Sequence, residues 1–170
     1  THKLARFGPG ESPRSIQLYG TDPTVMRAAV SRLVNELGAE HVDLNFGCPV
    51  PKVTRRGGGS ALPWKTDLFC EIIQRVVKVC DAANVPVTAK IRVGIDHEHE
   101  TFLEAGHIAQ EEGCKAVTLH ARTTAEYYGG HSDWSRIGEL VSELDIPVFG
   151  NGDIWGANDA LAMVTETGCA

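Results

Sequence analysis

The stretch VPVTAKIRVG, residues 85–94, decides the fold class because its apolar and polar residues alternate strictly. Apolar side chains stand at positions 87, 89, 91 and 93, with Thr88, Lys90 and Arg92 between them. Successive side chains of a strand point to opposite faces, so the pattern predicts a strand with one apolar and one polar face. The segments HVDLNF (41–46) and KAVTLHAR (115–122) repeat the alternation, and SIQLYG (15–20) and IPVFGNGDI (146–154) are further strand candidates.

Amphipathic segments separate these strands and give five strand–helix units in succession. Asp22 is the predicted N-cap and Pro23 the first residue of a helix whose amphipathic run extends from Val25 to Leu37, with Gly38 as its stop. Further helices are predicted at 67–83, 101–113, 134–145 and 156–168. Strict alternation of strands and helices predicts parallel strands with right-handed crossovers.

Two α/β architectures fit this order, an open doubly wound sheet and a TIM (β/α)8 barrel. Strands of a parallel sheet covered on both faces are nearly continuous apolar runs. The alternating strands found here favour the barrel, whose polar face lines the lumen. A full barrel needs about 250 residues. We therefore expect residues 1–170 to form an incomplete barrel domain, about strands 2 to 6 with their helices.

Composition narrows the class of protein. The chain has 170 residues, of which 42% are hydrophobic and 22% charged, as in an ordinary globular domain. No apolar run reaches the roughly 20 residues of a membrane span, and we expect a cytoplasmic protein without a membrane anchor. Five cysteines without a CxxC pair argue against a disulfide framework and a cysteine-based zinc site. The net charge of −6 argues against a surface that coats nucleic acid, but not against a local basic patch.

Polar residues gather near the C-terminal ends of the strands, where barrel active sites lie. These residues are Gln17, Asn45, Lys90, Arg92, His120 and Asn151. Lys90 and Arg92 should both point into the lumen, where they either pair with an internal anion such as Asp43 or bind an electron-rich ligand. His120 is either a hydrogen-bonded core residue or a ligand contact.

Cys48 follows a strand in NFGCPVP and is expected on the rim of the barrel, where a thiol can act as a general acid. Cys70, Cys80 and Cys114 have the usual positions of buried structural residues. The turn Asn151-Gly152-Asp153 precedes a helix and is either an ordinary turn or a phosphate site.

Basic residues concentrate near the same rim: Lys52, Arg55, Arg56, Lys65, Arg92 and Arg122. Such a cluster in an acidic protein suits a polyanionic substrate. The glycines at 57–59 lack the spacing of a dinucleotide or P-loop motif and read as a flexible loop. His97 and His99 read as a solvated loop, and no metal is assigned.

The stretch LNFGCPVPKVTRRGGGSALP (44–63) closely resembles the signature of the tRNA-dihydrouridine synthase family. The resemblance continues through QLYG (17–20), AKIRVG (89–94), LHART (119–123), YYGGHSDWSRI (127–137) and NGDI (151–154), in the family's order. Gly58 and Ser60 depart from the pattern, which has alanines there. The family fold is an FMN-binding barrel followed by a helical domain, so we expect that domain, the first strand and the last barrel units to lie outside residues 1–170.

The resemblance implies reduction of specific tRNA uridines to 5,6-dihydrouridine, with NADPH as the reductant of FMN, tRNA as the partner and no obligate protein partner. It implies Gln17 and Lys90 at the flavin ring, and His120 with Asn151, Gly152 and Asp153 around the rest of the FMN. Asn45 and Arg92 would hold the uracil, and Cys48 would protonate it. Lys52, Arg55 and Arg122 are the further substrate-binding candidates.

Three other interpretations remain open from the residues. The chain could belong to another FMN barrel oxidoreductase acting on a free pyrimidine, similar to dihydroorotate dehydrogenase, which would not need the basic rim. It could be a non-catalytic RNA-binding module, which needs neither flavin nor Cys48. It could be a phosphate-binding barrel with unrelated chemistry. A barrel that lacks strands exposes open edges, so residues 1–170 alone are expected to be inactive.

Overall fold

A computed structural model describes residues 5–170, in which five strands alternate with helices. The strands are β1 (Ser15–Leu18), β2 (His41–Phe46), β3 (Val87–Arg92), β4 (Ala116–His120) and β5 (Val148–Asn151). The helices are α1 (Pro23–Asn35), α2 (Pro51–Thr54), α3 (Thr66–Asp81), α4 (Phe102–Glu111), α5 (Ser135–Glu143) and α6 (Ala157–Thr167), with a 3₁₀ turn at Gly59–Ala61.

The strands form one parallel sheet in the order β1-β2-β3-β4-β5. This confirms the predicted α/β class with its parallel, alternating units. Strand order never reverses, whereas a doubly wound sheet has a switch point where it does. A sheet wound in one direction is the arrangement found within a (β/α) barrel. Closure into eight strands stays a prediction, since five are described.

The two faces of the sheet differ as the alternation predicts. In β2, Val42, Leu44 and Phe46 are buried, and the residues between them are partly exposed. The apolar face joins the helices in one hydrophobic core. Phe46 meets Phe69 of α3 edge to face at 4.7 Å between ring centroids, which anchors the end of β2 just before Cys48. Within residues 5–170, no helix covers the polar face, so this face is available for a functional site.

The start of α1 was predicted correctly from the sequence, and its end was predicted approximately. Asp22 accepts hydrogen bonds from the backbone N–H groups of Thr24 and Val25 at 2.8 and 2.9 Å, and Pro23 is the first helical residue, so the predicted N-cap is confirmed. The helix ends at Asn35, two residues before the predicted end, and Gly38 takes a positive φ of 69° in the turn that follows. No helix within residues 5–170 is long and apolar enough to cross a membrane.

Candidate functional site

A cavity of about 390 Å³ opens at the C-terminal ends of the strands. We call it the cysteine cavity. It brings together seven of the residues singled out in the sequence: Gln17, Asn45, Cys48, Lys90, Arg92, His120 and Asn151. They come from all five strands or the loops that follow them, because parallel strands end at the same edge of the sheet.

A second cavity, of about 600 Å³, adjoins it and is called the outer cavity. Its wall includes the turn Asn151–Asp153, Arg122 and the loop residues Gly130 and His131. His120, Tyr128 and Asn151 line both cavities. A single elongated ligand could therefore extend from one cavity into the other.

The loop that carries Cys48 is held by the glycine-rich segment. The backbone N–H and the hydroxyl of Ser60 donate to the Cys48 carbonyl at 3.0 and 3.1 Å. Gly59 has a φ of 56°, and a Cβ there would collide with the Cys48 carbonyl oxygen. Gly58, Gly59 and Ser60 are all buried. The interpretation of residues 57–59 as a flexible loop is therefore wrong, because the segment packs under Cys48.

Lys90 points into the cysteine cavity, and its ammonium donates to the Asn151 side-chain oxygen at 3.2 Å. Its pKa is lowered from 10.5 to about 8, mainly by burial and in addition by the charge of Arg92, against an opposite effect of Asp43. Lys90 makes no ion pair with Asp43, since the register sets Asp43 opposite Thr88 and Lys90 opposite Asn45. An anionic or electron-rich ligand would compensate this partly buried cation.

Arg92 is 4% exposed and is held by backbone oxygens. Its Nε donates to Gly47 at 3.0 Å, and its Nη1 donates to Thr123 and Tyr127 at 3.0 and 2.8 Å. The Tyr128 ring lies 5.5 Å from the guanidinium carbon. Burial is the main reason that the pKa of Arg92 is lowered. Its Nη2 makes no hydrogen bond within residues 5–170, so one face of the fork is available in the cavity.

His120 carries the one buried side-chain nitrogen or oxygen atom, among residues 5–170, that has no hydrogen-bond partner, Nε2. Its pKa is lowered to about 4, first by burial and then by the charges of Arg92, Lys90 and Arg122, against a smaller effect of Asn151. The ring is therefore neutral at neutral pH. Leaving a buried polar atom unpaired costs roughly 1–3 kcal/mol, which a ligand bonded to Nε2 would recover.

Gly152 and Asp153 shape the wall beside His120. Gly152 has a φ of 123°, and a Cβ on it would collide with Ser132 and reach within 3.7 Å of His120 Nε2. The Asp153 carboxylate accepts from Arg122 Nη2 at 2.7 Å and from the Ser132 backbone N–H at 2.6 Å. These hydrogen bonds and the Arg122 charge lower the pKa of Asp153.

Arg122 holds the loop of the outer cavity in place. Its side chain is 6% exposed, and besides Asp153 it donates to the carbonyls of Gly129 and Gly130, both at 3.0 Å, and to the Ser132 hydroxyl at 2.8 Å. The guanidinium thus has four partners in the protein, and its predicted contact with substrate stays a prediction.

Comparison with known proteins identifies the family. A family model described as "Dihydrouridine synthase (Dus)" matches residues 2–170. The chain belongs to the dihydrouridine synthase family. Relatives include the "Probable tRNA-dihydrouridine synthase" of Mycobacterium leprae, 52% identical over 170 residues that make up 99% of this chain and 44% of the relative. The "tRNA-dihydrouridine synthase B" of Pseudomonas aeruginosa is 39% identical over 158 residues, 93% of this chain and 46% of the relative. The chain spans about half the length of the curated relatives it matches.

Two predicted substrate residues lie away from both cavities. Lys52 and Arg55 are exposed on and just after α2, the short helix that follows the Cys48 loop. They are outside the walls of the cysteine cavity and the outer cavity. Their position suits contact with a substrate that extends over the rim, and that role stays a prediction.

Three residues of the candidate site were not predicted from the sequence. Tyr128 lines both cavities, Trp155 stands at the outer cavity with its side chain almost fully exposed, and Ser60 bonds the Cys48 carbonyl. Tyr128 lies in a stretch noted for its resemblance to the family, and the glycines before Ser60 were visible. The contacts themselves depend on loop conformations that alternation of polarity does not encode.

Proposed function

We propose that this chain carries the catalytic centre of a flavin-dependent enzyme that reduces specific uridines in tRNA to 5,6-dihydrouridine. One observation carries the proposal: a single cavity at the strand ends combines the Cys48 thiol with the Lys90 and Arg92 cations and the unpaired His120 ring. The family of the chain and the names of its relatives support the same reaction.

The cavity residues fit flavin mononucleotide, a planar cofactor with many acceptor atoms and a phosphate. Lys90 and Gln17 would contact the ring system, and Lys90 would stabilise negative charge on it. His120 Nε2 would gain the partner that it lacks. The turn Asn151–Asp153 would lie nearer the phosphate, and Gly152 lets its backbone pass so close to Ser132 that a Cβ would have no space. When bound, this cofactor, re-reduced by NADPH, supplies the hydride that adds to C6 of the uracil.

Cys48 would complete the reduction by giving its thiol proton to C5 of the uracil. Addition of hydride at C6 and a proton at C5 saturates the 5,6 double bond, and the thiolate is then reprotonated from solvent. Asn45 and the free Nη2 of Arg92 face the same cavity and would hold the uracil oxygens. Proton donation by a well-placed acid accelerates such steps by roughly 10²–10⁴-fold.

The tRNA would bind over the rim of the cavity. The target uridine must leave the folded RNA to reach Cys48, at a cost of a few kcal/mol. Lys52 and Arg55, exposed beside the Cys48 loop, would offset this cost by contacting phosphates, and Arg122 would support the opposite wall. With tRNA as the substrate, we expect the activity in the cytoplasm.

The test uses the protein at its full natural length. We expect the purified protein to be yellow and to form dihydrouridine in unmodified tRNA in the presence of NADPH, detected as a mass gain of two hydrogens, while free uridine stays unreduced. Cys48→Ser should slow the reaction by about 10²–10⁴-fold with flavin still bound. Cys70→Ser, in α3, is the matched control and should react like the wild type. A colourless protein, or equal rates for Cys48→Ser and the wild type, would refute the proposal.

A further inference from the structure

A continuous row of hydrogen bonds crosses the polar face of the sheet, and its first half starts far from Cys48. The Ser15 hydroxyl lies 2.7 Å from Nδ1 of His41. Nε2 of the same ring lies 3.0 Å from the Thr88 hydroxyl oxygen. That hydroxyl donates to Oδ1 of Asp43 at 2.6 Å. Three neighbouring strands are thus linked through side chains on one face.

The second half runs from Asp43 to the Cys48 loop. Gln17 Nε2 donates to Oδ2 of Asp43 at 2.6 Å. Asn45 Nδ2 donates to Oε1 of Gln17 at 2.8 Å. The backbone N–H of Gly47 donates to Oδ1 of Asn45 at 3.1 Å. The Gly47 carbonyl accepts from Arg92 at 3.0 Å, so the residue before Cys48 is held on both sides.

The direction of this row follows from the chemistry of one group. The two ends of a side-chain amide have nearly the same shape, so its hydrogen bonds decide which end is oxygen. A carboxylate accepts and does not donate. Asp43 therefore requires the NH₂ end of Gln17, which leaves the Gln17 oxygen for the NH₂ end of Asn45. The Asn45 oxygen is then turned to the Gly47 N–H.

We propose that Asp43 is a positioning residue that fixes the amide orientations of Gln17 and Asn45 and, through them, the backbone ahead of Cys48. The inference rests on the proposed function and deepens it. Asn45 has a second N–H on Nδ2, and the orientation set by Asp43 presents a donor to the cysteine cavity. The site is thereby selective for a ring that offers a carbonyl oxygen at this point, as uracil does, over one that offers an amino group.

Asp43→Asn tests the proposal because it keeps the size of the side chain and adds a donor. With an NH₂ group at position 43, the amides of Gln17 and Asn45 can both reverse, and the Asn45 oxygen then faces the cavity. Asp145→Asn is the matched control, since Asp145 is exposed in the segment between α5 and β5, at the opposite end of the strand from the cavity. Gln17→Leu cuts the same link at an exposed position of β1 and serves if Asp43→Asn folds in poor yield.

Two readouts separate positioning from general support of the fold. The first is the alkylation rate of Cys48 in flavin-free protein, followed by peptide mass spectrometry. We expect Asp43→Asn to change it several-fold with the melting temperature nearly unchanged, and Asp145→Asn to change neither. The second is a double-mutant cycle on tRNA reduction. Asp43→Asn should lower kcat by about 10–100-fold with the KM for tRNA nearly constant, in keeping with the sensitivity of catalysis to small displacements.

Because Asp43 acts through Asn45, the same change should have little effect in an Asn45→Ala background. Fully additive effects, or an unchanged Cys48 alkylation rate in Asp43→Asn, would overturn the proposal. If the wild type reduces no tRNA at all, the proposed function fails. The alkylation comparison still decides whether Asp43 positions the loop.

Discussion

Replacing Gly59 by alanine should displace the loop that carries Cys48. Gly59 has a φ of 56°, a left-handed conformation that costs an alanine roughly 1–2 kcal/mol. The new Cβ would also collide with the Cys48 carbonyl oxygen and come within 3.1 Å of Cys48 Cβ and of Val53 Cγ1. Overpacking of this kind costs typically about 1–3 kcal/mol, because the colliding atom is backbone and cannot rotate away. We expect Gly59→Ala to lower the free energy of unfolding by about 2–5 kcal/mol.

Gly10→Ala is the matched control for that variant. Gly10 also has a positive φ, 81°, and a Cβ there would meet nothing within 4 Å. The control should therefore lose only the conformational part, about 1–2 kcal/mol. Urea unfolding gives both free energies, and alkylation of Cys48 in the folded protein reports on the loop. The reasoning is refuted if Gly59→Ala loses no more stability than Gly10→Ala and its Cys48 reacts at the wild-type rate.

Three further outcomes are expected. The pKa of Lys90 is lowered from its usual 10.5 to about 8, mainly by burial. Between pH 8 and pH 10.5 the unfolded chain therefore binds more protons than the folded one, and the free energy of unfolding should rise with pH over this range. Lys90→Met should flatten this rise and stabilise the flavin-free protein at pH 7 by at most about 3 kcal/mol in urea unfolding, and a variant less stable than the wild type would contradict this. Arg122→Ala removes the guanidinium that pairs with the Asp153 carboxylate and should lower the free energy of unfolding by about 3–5 kcal/mol. Arg55→Ala, the exposed control, should change it by about 0.5 kcal/mol or less. Equal losses in the two variants would disprove the structural role given to Arg122. Lys52→Glu should weaken tRNA binding and reduce its salt dependence with flavin affinity unchanged, measured by filter binding at several salt concentrations, and an unaltered salt slope would exclude a phosphate contact.

Alternation of polarity predicted most of the cysteine cavity, since it depends on a local rule. The alternation puts Lys90 and His120 on the polar face of their strands. Because parallel strands end at the same edge of the sheet, the two residues line the same cavity. Alternation of polarity does not predict which residues of neighbouring strands lie opposite each other. The sequence left open an ion pair between Lys90 and Asp43, but the register pairs Asp43 with Thr88, and the carboxylate is used there and at Gln17.

Loops account for what the sequence could not predict. Arg122 was expected at the substrate. In the structure it donates hydrogen bonds to the carbonyls of Gly129 and Gly130 and to the hydroxyl of Ser132, all in one loop. Ser60 bonds Cys48 because two positive-φ glycines, Gly57 and Gly59, turn the chain back under it. Such contacts depend on tertiary closure of irregular segments, for which the sequence offers glycine as a signal but no partner.

The strictly sequential order of the strands has a consequence for how such a protein can be altered. Helices cover one side of the sheet and the cavities lie on the other, so the parity of a strand position separates residues of the hydrophobic interior from residues of the polar face. Val42, Leu44 and Phe46 belong to the first set, and Asp43 and Asn45 to the second. A library randomised at every other residue of β2 and β3 would explore new binding chemistry while the hydrophobic interior stays as it is.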